Sequence, residues 1–312
     1  MTTSILMPPA APTQPGRGPI LLLGVMNRCG SNHLGWLLSR HPGVATAAAG
    51  NSGEDYLLKR ADLLAEYADD TVRHWSAEGR DALANGVMSA IGGGLLEAMR
   101  GDAADDQRLL LRTPRVFALD QAARLFPSAT MVLLMRDGRE VVASAEKTFD
   151  ALPDGEWERR WRDGADLMWE ISQGQAEGTA PLPWLLVRFE DLVADPRATL
   201  ERLLDALGLD RDPYPWGVLD TAPVIGSSAA KPDPRSRRWT PIDKPAGFRP
   251  SGRWHEWSPA RRRRFDRLCG PAMARWGYGP ATPATLSWLG RGLGRGLGWG
   301  FGWRGALGRR AA

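Results

Sequence analysis

A buried strand that runs directly into a helix constrains the fold of this chain more than any other feature. Residues 131–135 are continuously apolar, which is typical of an inner strand of a parallel sheet buried on both faces. After a two-residue turn, apolar residues recur at helical spacing. Arg136 ends the strand and Ser144 lies two helical turns further on. Both are therefore expected at the edge of the sheet where open α/β folds bind ligands, and together they can hold a phosphate.

A purely structural interpretation of these two residues is also open. Arg136 can pair with Asp137 or with a surface carboxylate, and Ser144 can be a tolerated helical serine. Fold alone does not decide between the two interpretations.

Strands and helices alternate along most of the chain. The predicted strands are residues 19–25, 108–111, 131–135 and 184–189, and the predicted helices include 31–40, 116–126, 196–207 and 258–276. Residues 55–75 and 150–179 are expected to be largely helical, residues 84–99 are ambiguous because three glycines interrupt them, and residues 213–253 are expected to be irregular. The alternation predicts an α/β fold of three layers, α/β/α, around a central parallel sheet.

Composition divides the chain into a domain and two flanking segments. Residues 19–280 are predicted to form one domain, preceded by a flexible lead at 1–18 and followed by a disordered Gly/Arg/Trp-rich tail at 281–312. The tail holds five arginines and no acidic residue, whereas residues 1–280 contain 35 basic and 36 acidic side chains. The domain is therefore not a nucleic-acid binder by charge. Contact of the tail with an anionic membrane surface is a second interpretation.

Cysteine usage and the N-terminus point to a cytoplasmic protein. Cys29 and Cys269 lie far apart, which fits a reducing compartment and excludes a disulfide framework or zinc ribbon. The N-terminus lacks an export signal, and no apolar run is expected to reach membrane-spanning length. No residues have metal-ligand spacing, and no nucleophile elbow with a Ser-His-Asp arrangement is present.

The first predicted strand ends in a glycine-containing loop that leads straight into a helix. Backbone N–H groups at such a helix start form an anion site. The loop is P-loop-like, but it lacks the lysine of a Walker A sequence, and its basic residue, Arg28, precedes Gly30. A nucleotide kinase or phosphotransferase is therefore the disfavoured second candidate. An ordinary strand-to-helix turn is the structural alternative.

Together, the loop and the strand edge resemble the two nucleotide-binding signatures of the sulfotransferase family that uses 3′-phosphoadenylyl sulfate (PAPS). The loop Arg28-Cys29-Gly30-Ser31-Asn32 is similar to the family's basic-Ser-Gly-Thr/Ser pattern, although Cys29 and the following His33 depart from it. Arg136 and Ser144 are similar to the second signature, an Arg with a Ser eight residues later. Other similar segments, in the family's order, are Arg112-Thr113-Pro114-Arg115, Phe126-Pro127-Ser128-Ala129-Thr130, Arg188-Phe189-Glu190-Asp191-Leu192 and the region of Arg249, Gly252, Arg253 and Trp254.

The resemblance implies a P-loop NTPase-like sulfotransferase fold and a transfer reaction. A sulfuryl group would pass from PAPS to a hydroxyl or amine, releasing 3′,5′-ADP without a metal. The nucleotide-binding residues that it implies are Arg28, Cys29, Gly30, Ser31, Asn32, His33, Arg136, Ser144 and Arg253. A sulfotransferase fold that has lost activity and serves as a binding protein is a third candidate.

The resemblance also implies three catalytic residues. Glu54 stands where tyrosyl-protein-type and bacterial members have a glutamate that serves as base, and Arg28 and Arg112 are the cations for the transferring group. The family often has lysine at the place of Arg112; arginine can stabilise charge there but cannot donate its proton. Alternatively, Glu54 caps the following helix and Asp55 is the base. His33 is a base by residue type, although packing or a phosphate contact is more usual.

The acceptor is expected to be a small molecule or a carbohydrate, and its identity is open. The segments without motifs, residues 56–104, 150–179 and 213–248, are the predicted acceptor walls. Their tryptophans suit a sugar, an aromatic ring or a lipid-linked hydroxyl.

Overall fold

A five-stranded parallel sheet forms the centre of the domain. The computed structural model describes residues 18–47, 54–75, 78–149, 151–176, 180–225 and 241–282. The strands are β1 (Ile20–Gly24), β2 (Val44–Thr46), β3 (Arg108–Thr113), β4 (Thr130–Met135) and β5 (Trp184–Arg188). Their order in the sheet is β2-β3-β1-β4-β5, and every pair is parallel. All residues of β1 and β4 are buried, which explains their unbroken apolar sequences.

Helices flank the sheet, as the alternation predicts. They are α1 (Ser31–Leu38), α2 (Ala61–Arg73), α3 (Arg80–Arg100), α4 (Leu119–Leu125), α5 (Gly138–Thr148), α6 (Glu156–Ala176), α7 (Phe189–Ala194), α8 (Pro196–Leu207), α9 (Val218–Thr221) and α10 (Pro259–Arg275), with 3₁₀ turns at Leu57–Arg60 and Arg253–Glu256. Helix α6 packs on α5 and α10, helix α3 packs on α2 and α4, and α1 contacts β1 and β3. The predicted α/β fold with a parallel sheet is confirmed.

The elements that sequence periodicity does not predict are short or interrupted. Strand β2 has three residues and helix α7 has six, so neither contains enough residues to show a period. The ambiguous glycine-rich segment is a continuous helix, α3, that passes through all three glycines. A Cβ atom on Gly92 would lie 1.9 Å from the Leu125 carbonyl oxygen, so the absence of a side chain lets α3 approach α4. Gly93 and Gly94 face open space.

The contrast between Gly92 and Gly93 predicts opposite effects on stability. We expect Gly92→Ala to lower the free energy of unfolding by about 1–3 kcal/mol, because the new methyl group forces α3 away from α4. We expect Gly93→Ala to raise it by about 0.5–1 kcal/mol, because alanine stiffens the unfolded chain and meets no atom within 4 Å. Urea denaturation of both variants measures these changes. Equal effects of the two substitutions on the free energy of unfolding would contradict the close approach of α3 to α4.

Helix α3 bears on the expectation that no apolar run reaches membrane-spanning length. Within the described residues, α3 is the helix long and apolar enough to cross a membrane by length and composition. Its alanines, glycines and scattered aliphatic residues add up to that length, although no single run is unbroken. Ala84, Met88, Gly92 and Met99 are nevertheless buried along one face of the helix. Length and composition of one helix do not distinguish a span from a helix of a water-exposed domain.

Parts of the predicted organisation lie outside the described residues. Residues 1–17 and 283–312, which contain nearly all of the predicted lead and tail, are not described. In the irregular segment, residues 226–240 are also outside the description. Its described parts contain α9 and an isolated antiparallel bridge between Val224 and Ile242.

The strand order locates the functional edge of the sheet. Strand β1 lies between β3 and β4, so the chain fills one side of β1 with β2 and β3 and then crosses to β4 on the other side. Such a reversal leaves a crevice at the carboxyl ends of the central strands. The loop after β1 and the turn after β4 both open into this crevice.

Candidate functional site

The loop between β1 and α1 has a backbone that its sequence explains. Gly30 has φ 106°, a left-handed conformation that favours glycine, and a Cβ atom there would lie 2.3 Å from the Phe189 ring. Arg28 also has a positive φ of 80°, which costs about 1–3 kcal/mol for a residue with a side chain. Its carbonyl accepts a hydrogen bond from Arg136 Nη1 at 2.9 Å. The strained loop is therefore tied to the end of β4.

Two arginines hydrogen-bond Ser144 and a third, Arg136, bonds the backbone of one of them; we name Arg28, Arg136 and Arg253 the arginine cluster. Ser144 Oγ accepts hydrogen bonds from Arg28 Nε and Arg253 Nη1, both at 3.2 Å. Arg136 is buried, lies over the Phe189 ring at 4.2 Å and donates to the Pro250 carbonyl at 2.6 Å. Residues far apart in the chain are thus brought together, and Arg136 and Ser144 line the same cavity.

The structural alternative for Arg136 does not describe this arrangement. Asp137 pairs with Arg139 at 2.5 Å, and Ser144 is buried within the cluster. Burial, together with the positive charges of Arg136 and Arg253, lowers the pKa of Arg28 to about 10. Arg28 therefore remains protonated at neutral pH. Three cations held this closely create a positive potential that suits a multiply charged anion.

The other loop residues have different surroundings. Gly30, Ser31, Asn32 and His33 line the same cavity as the arginine cluster. The Oδ1 atom of Asn32 is buried without a hydrogen-bond partner among the described residues. The Cys29 side chain is fully buried under the loop, next to Gly24, and does not line the cavity. Of the predicted nucleotide-binding side chains, Cys29 is the one that packs in the core.

His33 is a poor base in this position. Burial lowers its pKa to about 4, and the nearby positive charge of Lys244 acts in the same direction. The imidazole is therefore neutral at neutral pH and binds protons weakly. Its location on the cavity wall suits contact with a bound molecule.

Glu54 has the properties of a general base. Its carboxylate lines the cavity and accepts a hydrogen bond from the Tyr56 hydroxyl at 3.2 Å. Tyr56 in turn accepts one from Asn27 Nδ2 at 3.1 Å. Burial raises the pKa of Glu54, while the charge of Arg112, the Tyr56 hydrogen bond and the charge of Arg28 oppose that rise. A carboxylate with a raised pKa at the edge of a cavity is a candidate for proton transfer.

Asp55 is engaged in holding the backbone. Its Oδ1 atom accepts from the Leu57 N–H at 3.1 Å and from Thr113 Oγ1 at 3.0 Å, and its Oδ2 atom accepts from the Arg112 N–H. It therefore joins the segment before α2 to β3. The Asp55 carboxylate thus bonds the N–H of Leu57, the first residue of the 3₁₀ turn.

Arg112 lies behind the cavity wall. Its Nη1 atom donates to the Asn32 carbonyl at 3.5 Å, and its side chain passes close to Gly35 of α1. Burial lowers the pKa of Arg112, whereas the charges of Glu54 and Asp55 raise it. The guanidinium is thus close enough to influence Glu54, but it does not line the cavity.

A segment from Phe248 to Glu256, which we name the closing segment, borders the cavity opposite the loop. The Gly252 N–H donates to the buried Glu140 carboxylate at 2.6 Å, and Lys147 pairs with Glu256 at 3.2 Å. Arg253 reaches Ser144 from this segment. The cavity enclosed in this way measures about 310 Å³. Among the described residues, no group of three or more side chains that could hold a metal ion comes together.

A profile of the Sulfotransferase family matches residues 19–213, which is more than half of the chain. This chain belongs to the sulfotransferase family. The match spans the loop, the arginine-bearing turn after β4 and all five strands.

Individual relatives of this sulfotransferase-family chain are distant. Protein-tyrosine sulfotransferase 1 of Danio rerio is 24% identical over 277 residues, covering 84% of this chain and 73% of the relative. The sulfotransferase domain of the Synechococcus PCC 7002 olefin synthase has a TM-score of 0.51 and 22% identity, covering 86% of this chain and 98% of that one. Retinol dehydratase, solved with androsterone and inactive cofactor PAP, has a TM-score of 0.42 and 12% identity, covering 84% of this chain and 82% of that one.

Sequence reasoning missed several residues of this candidate site. Asn27, Tyr56 and Phe189 line the cavity, and Glu190 supports the turn after β4 by accepting from the Asp137 N–H at 2.8 Å. Two of them stood beside predicted residues, because Asn27 precedes Arg28 and Tyr56 follows Glu54 by two. The aromatic contact between Phe189 and Arg136 had no local signal, since 53 residues separate them.

Proposed function

We propose that this sulfotransferase-family protein transfers a sulfuryl group from PAPS to a hydroxyl or amine of an acceptor, releasing 3′,5′-ADP. The arginine cluster around Ser144, next to the loop after β1, is the observation that carries the proposal. PAPS has two anionic ends, a 5′-phosphosulfate and a 3′-phosphate. Its recognition needs two cationic sites in one crevice, whereas ATP has no 3′-phosphate.

The residues of the crevice fit such a molecule. Arg136, Arg253 and the Ser144 hydroxyl would hold the 3′-phosphate through charge-assisted hydrogen bonds. Arg28 and the first turn of α1, with Ser31 and Asn32, would hold the phosphosulfate at the positive end of the helix. The Oδ1 atom of Asn32, which has no hydrogen-bond partner among the described residues, would accept a hydrogen bond from a bound nucleotide or from its water shell.

The transfer step requires a base, a cation and in-line positioning. Glu54 accepts the acceptor's proton as the acceptor oxygen or nitrogen forms its bond to sulfur. The bond between sulfur and the bridging phosphate oxygen breaks, and its electron pair stays on the 5′-phosphate of 3′,5′-ADP. Arg28 stabilises that developing charge, and Arg112 helps to keep Glu54 ionised from behind the wall.

Ligand-dependent thermal stability tests this proposal against its two alternatives. At a concentration of 100 times its Kd, 3′,5′-ADP should stabilise the protein by about 2.7 kcal/mol, which raises the Tm by roughly 5 °C. ATP with Mg²⁺ at the same concentration should have a much smaller effect. Stabilisation by ATP alone would indicate a kinase-like enzyme. No response to either nucleotide would favour a fold that has lost its nucleotide-binding activity.

A further inference from the structure

Two positions on one face of α5 hold two neighbouring residues of the closing segment. Glu140 and Ser144 stand four residues apart in the helix, so their side chains lie on the same face. Glu140 Oε1 accepts a hydrogen bond from the Gly252 N–H at 2.6 Å. The next residue, Arg253, donates from Nη1 to Ser144 Oγ at 3.2 Å. The contact at Glu140 therefore lies directly beside the one that brings Arg253 into the cavity.

The contact at Glu140 is buried, unlike another contact of the same helix with the same segment. Glu140 is 6% exposed. The pair of Lys147 and Glu256, about two turns further along α5, has side chains that are 50% and 75% exposed. Exposed ion pairs contribute little to stability, whereas hydrogen bonds to a charged group are among the strong ones. Of the two contacts, the one at Glu140 therefore holds the closing segment more firmly.

Gly252 is the residue at which the backbone of the closing segment is oriented. It has φ 100°, a left-handed conformation that favours glycine, and it precedes the 3₁₀ turn Arg253–Glu256. The His255 N–H donates to its carbonyl at 3.2 Å, while its own N–H is held by Glu140. Because a peptide unit is planar, these two bonds fix the units on either side of Gly252. They therefore fix the direction in which Arg253 leaves the backbone.

Glu140 lies close to the cations of the cavity without bordering the cavity itself. Burial lowers the pKa of Arg136, and the charge of Glu140 is the largest of those that raise it. Arg136 and Arg253 line the cavity, whereas Glu140 is not among its lining residues in the described part of the chain. Its Oε2 atom is buried without a hydrogen-bond partner among the described residues. Stability alone does not explain such an oxygen, because a buried unsatisfied acceptor destabilises the fold.

We propose that Glu140 is a positioning residue, which holds Gly252 so that Arg253 points at the 3′-phosphate of the nucleotide. This inference rests on the proposed function, because it takes Arg253 as a ligand of that phosphate. Glu140 itself does not touch the nucleotide and acts through the backbone of the closing segment. The competing role is that of a counter-charge for Arg136, which would depend on the charge of the carboxylate and not on its reach.

Two substitutions of Glu140 separate reach from charge. Glu140→Asp keeps the charge but shortens the side chain by one methylene, so it loses the Gly252 N–H. It should weaken 3′,5′-ADP about tenfold and 5′-AMP less than about twofold, because 5′-AMP has no 3′-phosphate. Glu140→Gln keeps a carbonyl oxygen at the same reach and should change either Kd by less than about threefold. Calorimetry on the full chain measures these values, and thermal unfolding checks that each variant is folded.

A matched control removes the exposed contact of the same helix. Lys147→Ala breaks the pair with Glu256 and should change the Kd of either nucleotide by less than about twofold. A loss equal to that of Glu140→Asp would mean that any loosening of the closing segment has this effect, and the assignment to Glu140 would be wrong. The inference is also wrong if Glu140→Gln weakens 3′,5′-ADP as much as Glu140→Asp does, since charge would then decide.

A double-mutant cycle tests whether Glu140 acts through Arg253. In an Arg253→Ala background, Glu140→Asp should weaken 3′,5′-ADP by less than about twofold, because the side chain that it positions is gone. The same tenfold loss in both backgrounds would overturn the inference. Tighter binding of 3′,5′-ADP by Glu140→Asp would overturn it as well, since the released Gly252 N–H would then bind the phosphate itself.

The proposed function fails in a different way from this inference. If the unaltered protein does not bind 3′,5′-ADP, or if Arg253→Ala alone weakens 3′,5′-ADP and 5′-AMP equally, the nucleotide assignment is wrong and the role of Glu140 falls with it. If Arg253→Ala selectively weakens 3′,5′-ADP and Glu140→Asp does not, the nucleotide assignment stands and only the positioning role is wrong.

Discussion

Glu54→Gln is expected to reduce sulfuryl transfer by about 10²- to 10⁴-fold, the usual contribution of a general base. The Kd of 3′,5′-ADP should change by less than about twofold, because Glu54 accepts its hydrogen bond from Tyr56 on the side of the cavity toward Asn27, whereas Ser144 bonds Arg28 and Arg253. Transfer of ³⁵S from labelled PAPS, together with calorimetry of 3′,5′-ADP, measures both quantities. Near-normal turnover would assign the base to another residue.

The stability of the same variant distinguishes a functional carboxylate from a structural one. Burial raises the pKa of Glu54, so its ionised form destabilises the folded state at pH values above its unfolded pKa. Replacement by neutral glutamine should therefore leave the Tm at neutral pH unchanged or higher. Asp55→Asn is the contrasting control, because Asp55 holds β3 and the 3₁₀ turn, and its loss should lower the Tm.

The pH dependence of transfer follows from the raised pKa of Glu54. Only ionised Glu54 accepts a proton, so the rate should fall as the pH drops through the raised pKa of this carboxyl. The acidic limb of the kcat/KM profile should lie above the ordinary glutamate value of about 4.3. Loss of that limb in the residual activity of Glu54→Gln would support the assignment. An unchanged limb would contradict it.

Arg136→Ala is expected to weaken 3′,5′-ADP by about 100-fold, because truncating a buried charged partner costs 2 kcal/mol or more. The loss for 5′-AMP should be less than about fivefold, since 5′-AMP lacks the 3′-phosphate that Arg136 would bind. Calorimetric Kd values of the wild type and the variant give the loss of affinity for each nucleotide and the ratio of the two losses. Equal losses on both would mean that Arg136 supports the loop and does not select the 3′-phosphate.

Two further variants distinguish recognition of the 3′-phosphate from support of the loop. Arg136 also donates to the carbonyls of Arg28 and Pro250, so its removal affects the loop and the closing segment as well. Ser144→Ala leaves both of these contacts in place and should shift the nucleotide ratio in the same direction by a smaller factor. Arg124→Ala, which breaks a pair with Asp69 outside the cavity, should leave both Kd values unchanged.

Several residue roles depended on contacts that no local pattern contains. Glu54 and Asp55 are adjacent carboxylates, and either suited the base or the cap by sequence. In the structure Asp55 is held by Leu57, Thr113 and the Arg112 backbone, which leaves Glu54 facing the cavity. Arg112 was expected among the catalytic cations and lies behind the wall instead. Cys29 belongs to the loop by sequence, and its side chain belongs to the core by packing.

The sequence by itself determined the alternation of strands and helices, the buried character of β1 and β4, and the glycine that the loop after β1 requires. These features follow from periodicity and from the backbone freedom of single residues, which are local properties. Only the tertiary structure decided that Arg28 and Arg253 meet at Ser144, across 116 and 109 positions. It also decided that α3 continues through three glycines, and that Glu140 bonds the backbone of Gly252. Such contacts depend on how the whole chain packs, because burial and close approach are shared among residues distant in sequence.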